Sequence, residues 1–210
     1  MGYYMRVFSK GSNPVELGTI RERLSAAGLK TQVLAEGDEK EWDEAVLAHP
    51  NGREFAAIER NPVVPGALGA EEVAEMIDEV SRCPPASAAD WLRAYLSSVK
   101  TVYAFEVLSG ADEDDGWAAI RLAMSVCQDH AGGIRQVDGE GFSNEAGLLI
   151  LWQFSEDVTG LWWMAVLDEN GRWVSYQMDL GNRKHRQAFK AGRIPDGVSA
   201  STPERLQGIT

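Results

Sequence analysis

Gly160–Gly181 reads GLWWMAVLDENGRWVSYQMDLG. Two apolar runs, Leu161–Leu167 and Trp173–Leu180, flank Asp168-Glu169-Asn170-Gly171. Asn-Gly between such runs signals a β-hairpin, because the tight turn needs residues that tolerate positive φ. Three of the seven tryptophans, Trp162, Trp163 and Trp173, lie here beside Tyr176 and Met178. Aromatic surface of that extent belongs in a sheet whose inner face carries much of a core.

Upstream of the hairpin, Leu148–Phe154 reads as a buried strand and Ile134–Val137 as another, with Asp138–Asn144 a polar loop between them. Before these, Thr101–Leu108 is a strand. A helix through Ala131 then places Trp117, Ile120, Met124 and Cys127 inward, and Gly132-Gly133 ends it. The acidic run from Asp112 to Asp115 sits where carboxylates oppose the positive end of that helix's dipole. Downstream, Asn182–Ala191 is a basic helix, and a polar tail from Pro195 is expected to be poorly ordered.

The N-terminal part repeats these signals. Tyr3–Ser9 is a strand, Asn13 caps a helix with Pro14 at its first position, and Gly28 stops it. Thr31–Ala35 is a short strand and Glu36–Glu41 an acidic turn. Glu41–His49 and Arg53–Arg60 form a second hairpin around Pro50-Asn51-Gly52. The following Arg60–Gly66 leaves the sheet, since its two prolines remove ladder donors. Helices over Ala70–Arg82 and Ala88–Val99 follow, the second capped by Ser87.

Two halves offset by 100 residues share side chains. Tyr3, Val7, Phe8 and Ser9 match Tyr103, Val107, Leu108 and Ser109. Leu17, Ile20, Arg21 and Leu24 match Trp117, Ile120, Arg121 and Met124. The competing reading is chance likeness between amphipathic segments, because most shared positions are apolar. The fold expected is α+β: antiparallel sheets flanked by helices, in two similar β-α-β-β(-β) units forming an internal pseudo-repeat. The divisions are 1–66, a helical connector 67–100, a second unit 101–194 and the tail 195–210, all in one compact body with a cleft between the units.

Composition narrows the function classes. The chain has 210 residues, with 20 Lys and Arg against 32 Asp and Glu, a net charge of −12. That sign repels phosphate backbones and argues against nucleic acid. No window approaches the ~18 apolar residues of a membrane span, and MGYYMRVFSK lacks the charged and apolar regions of a secretory signal. Cys83 and Cys127 have no metal-like spacing and fall on expected helices, which reads as buried thiols in a reducing compartment. The expected location is the cytoplasm.

Three clusters carry candidate chemistry. Asp138, Glu140, Asn144 and Glu145 gather four oxygen side chains around two glycines, a donor set suited to Ca²⁺ or Mg²⁺ but without EF-hand spacing. A solvated turn is the plainer reading. Arg183-Lys184-His185-Arg186 could hold an anion through Arg183 and Arg186, or pair with the protein's own acids. Trp162 and Trp163 point to opposite faces of their strand, so one of them is exposed beside Trp173 or covered by a second layer. His49, His130 and His185 offer no local catalytic arrangement, and Gly139-Glu140-Gly141 lacks the third glycine of a dinucleotide loop. No cofactor is called for.

Three function classes follow. The leading one is a non-catalytic acidic interaction protein of bacterial type, immunity- or antitoxin-like, with a basic protein partner. The second is a small-molecule binder using the cleft between the two units, lined by Trp162 or Trp173 and one charged residue, with a small anionic ligand as a candidate. The third is a metal- or carboxylate-dependent enzyme using the Asp138–Glu145 loop.

Overall fold

Apolar runs set off by turn residues, as in the hairpin, recur through the chain. A computed structural model, which describes residues 2–36, 38–113 and 115–203, folds it into ten strands and five helices. In chain order these are β1 (Tyr3–Ser9), α1 (Leu17–Ala26), β2 (Gln32–Ala35), β3 (Glu44–Ala48) and β4 (Glu54–Pro62). Next come α2 (Leu68–Val80), α3 (Ala86–Leu96), β5 (Thr101–Val107), a 3₁₀ turn at Ser109–Asp112 and α4 (Gly116–Ala131). The chain goes on through β6 (Gly133–Val137), β7 (Gly141–Ser143), β8 (Leu149–Trp152), β9 (Leu161–Leu167), β10 (Trp173–Asp179) and α5 (Arg183–Lys190). The strand pairs of defined register are antiparallel, except β8–β9, which run parallel at Leu149 and Met164. The fold is α+β.

Two compact units form. One joins Met1–Val73 to Ser98–Gln136, the other Ala74–Ser97 to Val137–Thr210. The grouping follows sheet neighbours and not chain order, so β5 and α4 sit with the N-terminal strands.

In the first unit the strand order is β6-β1-β5-β4-β3-β2. One face is apolar: Met5, Val7, Val33, Ala45, Leu47, Ala56, Ile58, Tyr103 and Phe105 are all buried. α1 contributes Leu17, Ile20 and Leu24 to this core, and α4 contributes Ile120, Met124 and Cys127. β1 and β5 pair antiparallel, with Tyr3 opposite Val107 and Val7 opposite Tyr103. Beyond that pair the orders differ: β2 closes one edge, whereas β6 lies beside β1.

In the second unit the order is β10-β9-β8-β7. Met164, Val166, Tyr176 and Met178 face inward with Leu149, Trp152 and Phe189 of α5. The hairpin turns as expected: Asp168 Oδ1 accepts from the N–H groups of Asn170 and Arg172, each at 2.9 Å, and Gly171 has φ +73°.

Several boundaries differ from expectation. α1 starts at Leu17, not near Pro14, because both backbone groups of Val15 are engaged elsewhere. Its N–H donates to the Tyr103 phenol at 3.2 Å and its carbonyl accepts from the Trp42 indole at 2.7 Å. β4 continues through Asn61 and Pro62 against Val102 and Thr101. The Arg60 N–H reaches Asp43 at 2.7 Å and the Val63 N–H reaches Lys100 at 2.8 Å. By that alternation the nitrogen of Pro62 points past the end of β3, where no ladder bond is lost.

Asp138–Asn144 is not a loop throughout, since Gly141–Ser143 is a strand paired with β8. No side chain caps α3: Pro85 stands at its N-cap position. Two of the acids ahead of α4 have partners of their own. Asp112 accepts from the Trp117 indole at 2.9 Å and Glu113 pairs with Arg53, while Asp114 lies outside the described residues. Cys83 follows α2 and is half-buried; Cys127 is buried in α4, and both are free thiols.

Part of the expected tail, 195–203, makes contacts with the second unit. Ser201 N–H donates to Ser175 O at 2.8 Å, Ser175 Oγ to Ser201 O at 2.7 Å, and Val198 packs against the α5 core. Unpaired groups on the β10 edge hold this segment. The rest of the expected tail, 204–210, lies outside the described residues.

Candidate interaction surface

An antiparallel sheet commonly packs one face on a core and leaves the other to solvent. On the first unit's other face, cross-strand register sets Leu34, Val46, Ala57, Glu106 and Tyr4 in one row. The next row holds Glu44, Glu59, Ala104 and Arg6. α2 covers part of this face: Glu72 receives Arg6 Nε at 2.6 Å, and Gln136 receives Arg6 Nη1 at 2.8 Å. Gly69 lets α2 approach, since a Cβ there would lie 2.7 Å from the carbonyl oxygens of Asn61 and Pro62. Burial, and after it the charges of Glu106 and Glu59, push the Tyr4 phenol pKa up.

Toward the β2 edge the face sinks into a hollow of about 650 Å³. Leu34 and Val46 lie in it, and Leu34 is 49% exposed. Around them stand Glu36, Asp38, Glu41, Asp43, Glu44 and Glu54, every one exposed. Asp43 pairs with Arg60 at 3.0 Å. The other five have no ion pair among the described residues. Nearby cations are used elsewhere: Arg21 pairs with Glu39, and Lys40 lies 3.7 Å from Glu16. Arg21 also donates to the Val33 carbonyl from Nε at 3.3 Å and Nη2 at 2.9 Å, occupying the outer edge of β2.

The sequence-derived candidates lie in the second unit. Asp138 and Gly139 make the turn out of β6, with Glu140 N–H on Val137 O at 3.0 Å. Glu140 is half-buried, and burial raises its carboxyl pKa. Asn144 is buried and structural: Oδ1 accepts the N–H groups of Ala146 and Leu148, each at 3.1 Å. Glu145 is exposed, and its charge adds to the burial that raises the Tyr95 pKa. With Asn144 oxygen committed to backbone, the four-oxygen set does not converge. Among the described residues no group of three or more acids, histidines and cysteines is placed to hold a metal ion.

Arg183 is exposed at the start of α5, where Asn182 Oδ1 caps the helix by accepting from Lys184 N–H at 3.0 Å. Arg186 turns inward, donating Nη1 to the Glu156 carbonyl at 2.7 Å. Lys190 reaches the Glu156 carboxylate at 2.8 Å and lies 4.9 Å from the centre of the Trp152 ring. Hydrogen bonding and charge from Lys190 hold the Glu156 pKa below the usual range. Arg186 is therefore an intramolecular partner.

Trp162 packs edge-on against Phe154 at 4.9 Å on the α5 side. Trp173 meets Trp91 of α3 edge-on at 5.2 Å. Register explains the separation: Trp162 pairs with Met178, five residues from Trp173, and an odd offset puts the two on opposite faces. Leu161, Trp162 and Trp163 line a second hollow of about 640 Å³, where Leu161 is 68% exposed.

His49 is buried, with Nε2 3.0 Å from Gly110 O and its ring 4.7 Å from Phe55, a structural setting. The acidic hollow had a visible signal in the sequence. Six acids fall in the nine residues from Glu36 to Glu44, against Lys40 alone, just after Leu34. Reading Glu36–Glu41 as an acidic turn gave no view of the apolar side chains, Leu34 and Val46, that strand register sets beside them. No protein-family model matches the chain, no curated protein matches it in sequence, and no solved structure matches it.

Proposed function

We propose that the chain is a non-catalytic acidic interaction protein of bacterial type, immunity- or antitoxin-like, that binds a basic protein partner. The observation that carries the reading is the uncompensated acidic rim of the first unit's hollow, around exposed Leu34. An apolar centre with a charged rim is how protein interfaces are built. A net charge of −12 adds long-range attraction that speeds encounter with a basic protein and weakens with salt.

The test is capture on the immobilised protein from lysate of the source cells at low salt, then calorimetry with the recovered partner. The expected partner is basic, binds stoichiometrically, is released by high salt and loses its own activity in the complex. A partner that keeps full activity when bound removes the immunity-like role. Recovery of no stoichiometric partner at any salt removes the interaction reading.

A further inference from the structure

We propose that the Leu34 hollow is the docking site for a cationic segment that seats an apolar side chain over Leu34 and Val46 with Lys or Arg on either side. The inference rests on the function proposed above and names the place and chemistry of recognition. Three observations converge on it. The hollow's volume, about 650 Å³, is within the range of recognition pockets. Its floor presents a large apolar side chain, 49% exposed, where burial by a partner removes apolar area from water. Its rim holds Glu36, Asp38, Glu41, Glu44 and Glu54, while Arg21, Lys40, Arg53 and Arg60 are paired with Glu39, Glu16, Glu113 and Asp43. Crowded like charges raise the energy of the fold. A cationic occupant would offset that.

Other occupants fit less well. An anion meets only carboxylates at the rim. A single metal ion needs converging ligands, and no such group exists among the described residues. A partner strand extending the sheet needs the outer carbonyl of Val33, which Arg21 occupies. Recognition is thus through side chains, with cations spaced along the rim.

The test is fluorescence anisotropy with a fluorescein-labelled KRLLRK peptide, against KRSSRK and EDLLDE controls, at low and high salt. Saturable binding of KRLLRK is expected, with KRSSRK weaker and EDLLDE silent. The double substitution Glu36→Gln and Glu44→Gln should weaken KRLLRK about tenfold. Leu34→Ser should bring KRLLRK down to the level of KRSSRK. A control of equal charge change, Glu22→Gln with Glu71→Gln, should shift affinity less than about twofold. Circular dichroism checks that each variant is folded; the rim variants remove like-charge repulsion and should melt no lower than wild type.

No saturable KRLLRK binding, or equal losses from the rim pair and the control pair, overturns the docking site. A captured basic partner that binds the rim variants and Leu34→Ser as tightly as wild type overturns the hollow alone and leaves the interaction function standing. Absence of any partner, with the peptide still bound at the rim, does the reverse.

Discussion

Gly141 shows how a single residue fixes the ladder beside the acidic turn. Its φ of +127° is one that side-chain-bearing residues rarely adopt, and a Cβ there would lie 2.0 Å from Leu151 O. Gly141→Ala should therefore cost about 3 kcal/mol or more in denaturant unfolding, since neither the backbone nor the opposing carbonyl can give way. An unchanged midpoint would mean β7 does not pair with β8 as described. Neighbouring Glu140 makes a prediction of the opposite sign. Burial raises its folded pKa above the unfolded value, so its contribution is fully present in acid and is lost as pH rises through the folded pKa. Glu140→Gln should melt higher than wild type at pH 7, with the gain vanishing below the ordinary carboxylate range. A catalytic or metal-binding Glu140 would instead reveal itself through lost turnover or lost metal-dependent stabilisation. The four oxygens here were legible as a cluster, but not their aim. Asn144 is taken by backbone N–H groups four residues or fewer away, which spacing alone does not disclose.

At the scale of elements, hydrophobic periodicity located almost every helix and strand, and the errors lie where long-range contacts outweigh local signals. Asn13-Pro14 is a sound helix start by its own chemistry. Tyr103 and Trp42, far along the chain, claim Val15 and delay α1 to Leu17. Trp42→Phe leaves the buried Val15 carbonyl without its donor and opens space beside Tyr103. It should cost about 2–3 kcal/mol by denaturant unfolding, most of it absent if the indole bond is dispensable. The contacts of residues 195–203 are of the same long-range kind. The tail's polar composition gives no hint that β10 offers an unpaired edge to Ser201, or that Ile194 and Val198 cover the core around Phe189. Ending the chain after Arg193 should lower the melting temperature by several degrees. The exposed edge should also give concentration-dependent association in light scattering. A truncated chain that melts and scatters light as wild type does would show that the tail is a passenger.

For the molecule as a whole, the question is which electrostatic term prevails, attraction within surface pairs or repulsion among a net −12. Exposed pairs such as Arg172 with Asp168 and Arg53 with Glu113 contribute little, and salt weakens them. Five carboxylates around one hollow, without an ion pair among the described residues, repel one another, and salt screens that repulsion with a Debye length of about 10 Å at 0.1 M. If repulsion prevails, raising the salt from about 10 mM to about 300 mM screens it and raises the melting temperature by a few degrees. Glu36→Gln with Glu44→Gln should achieve part of that gain at low salt and show a flatter salt response, while Glu22→Gln with Glu71→Gln should change the slope less. A melting temperature that falls with salt would give the balance to the surface pairs and remove the energetic argument for a cationic occupant. A rise confined to the wild-type rim would tie the molecule's largest electrostatic cost to the hollow, and a partner's Lys and Arg would then relieve strain that the fold maintains in their absence.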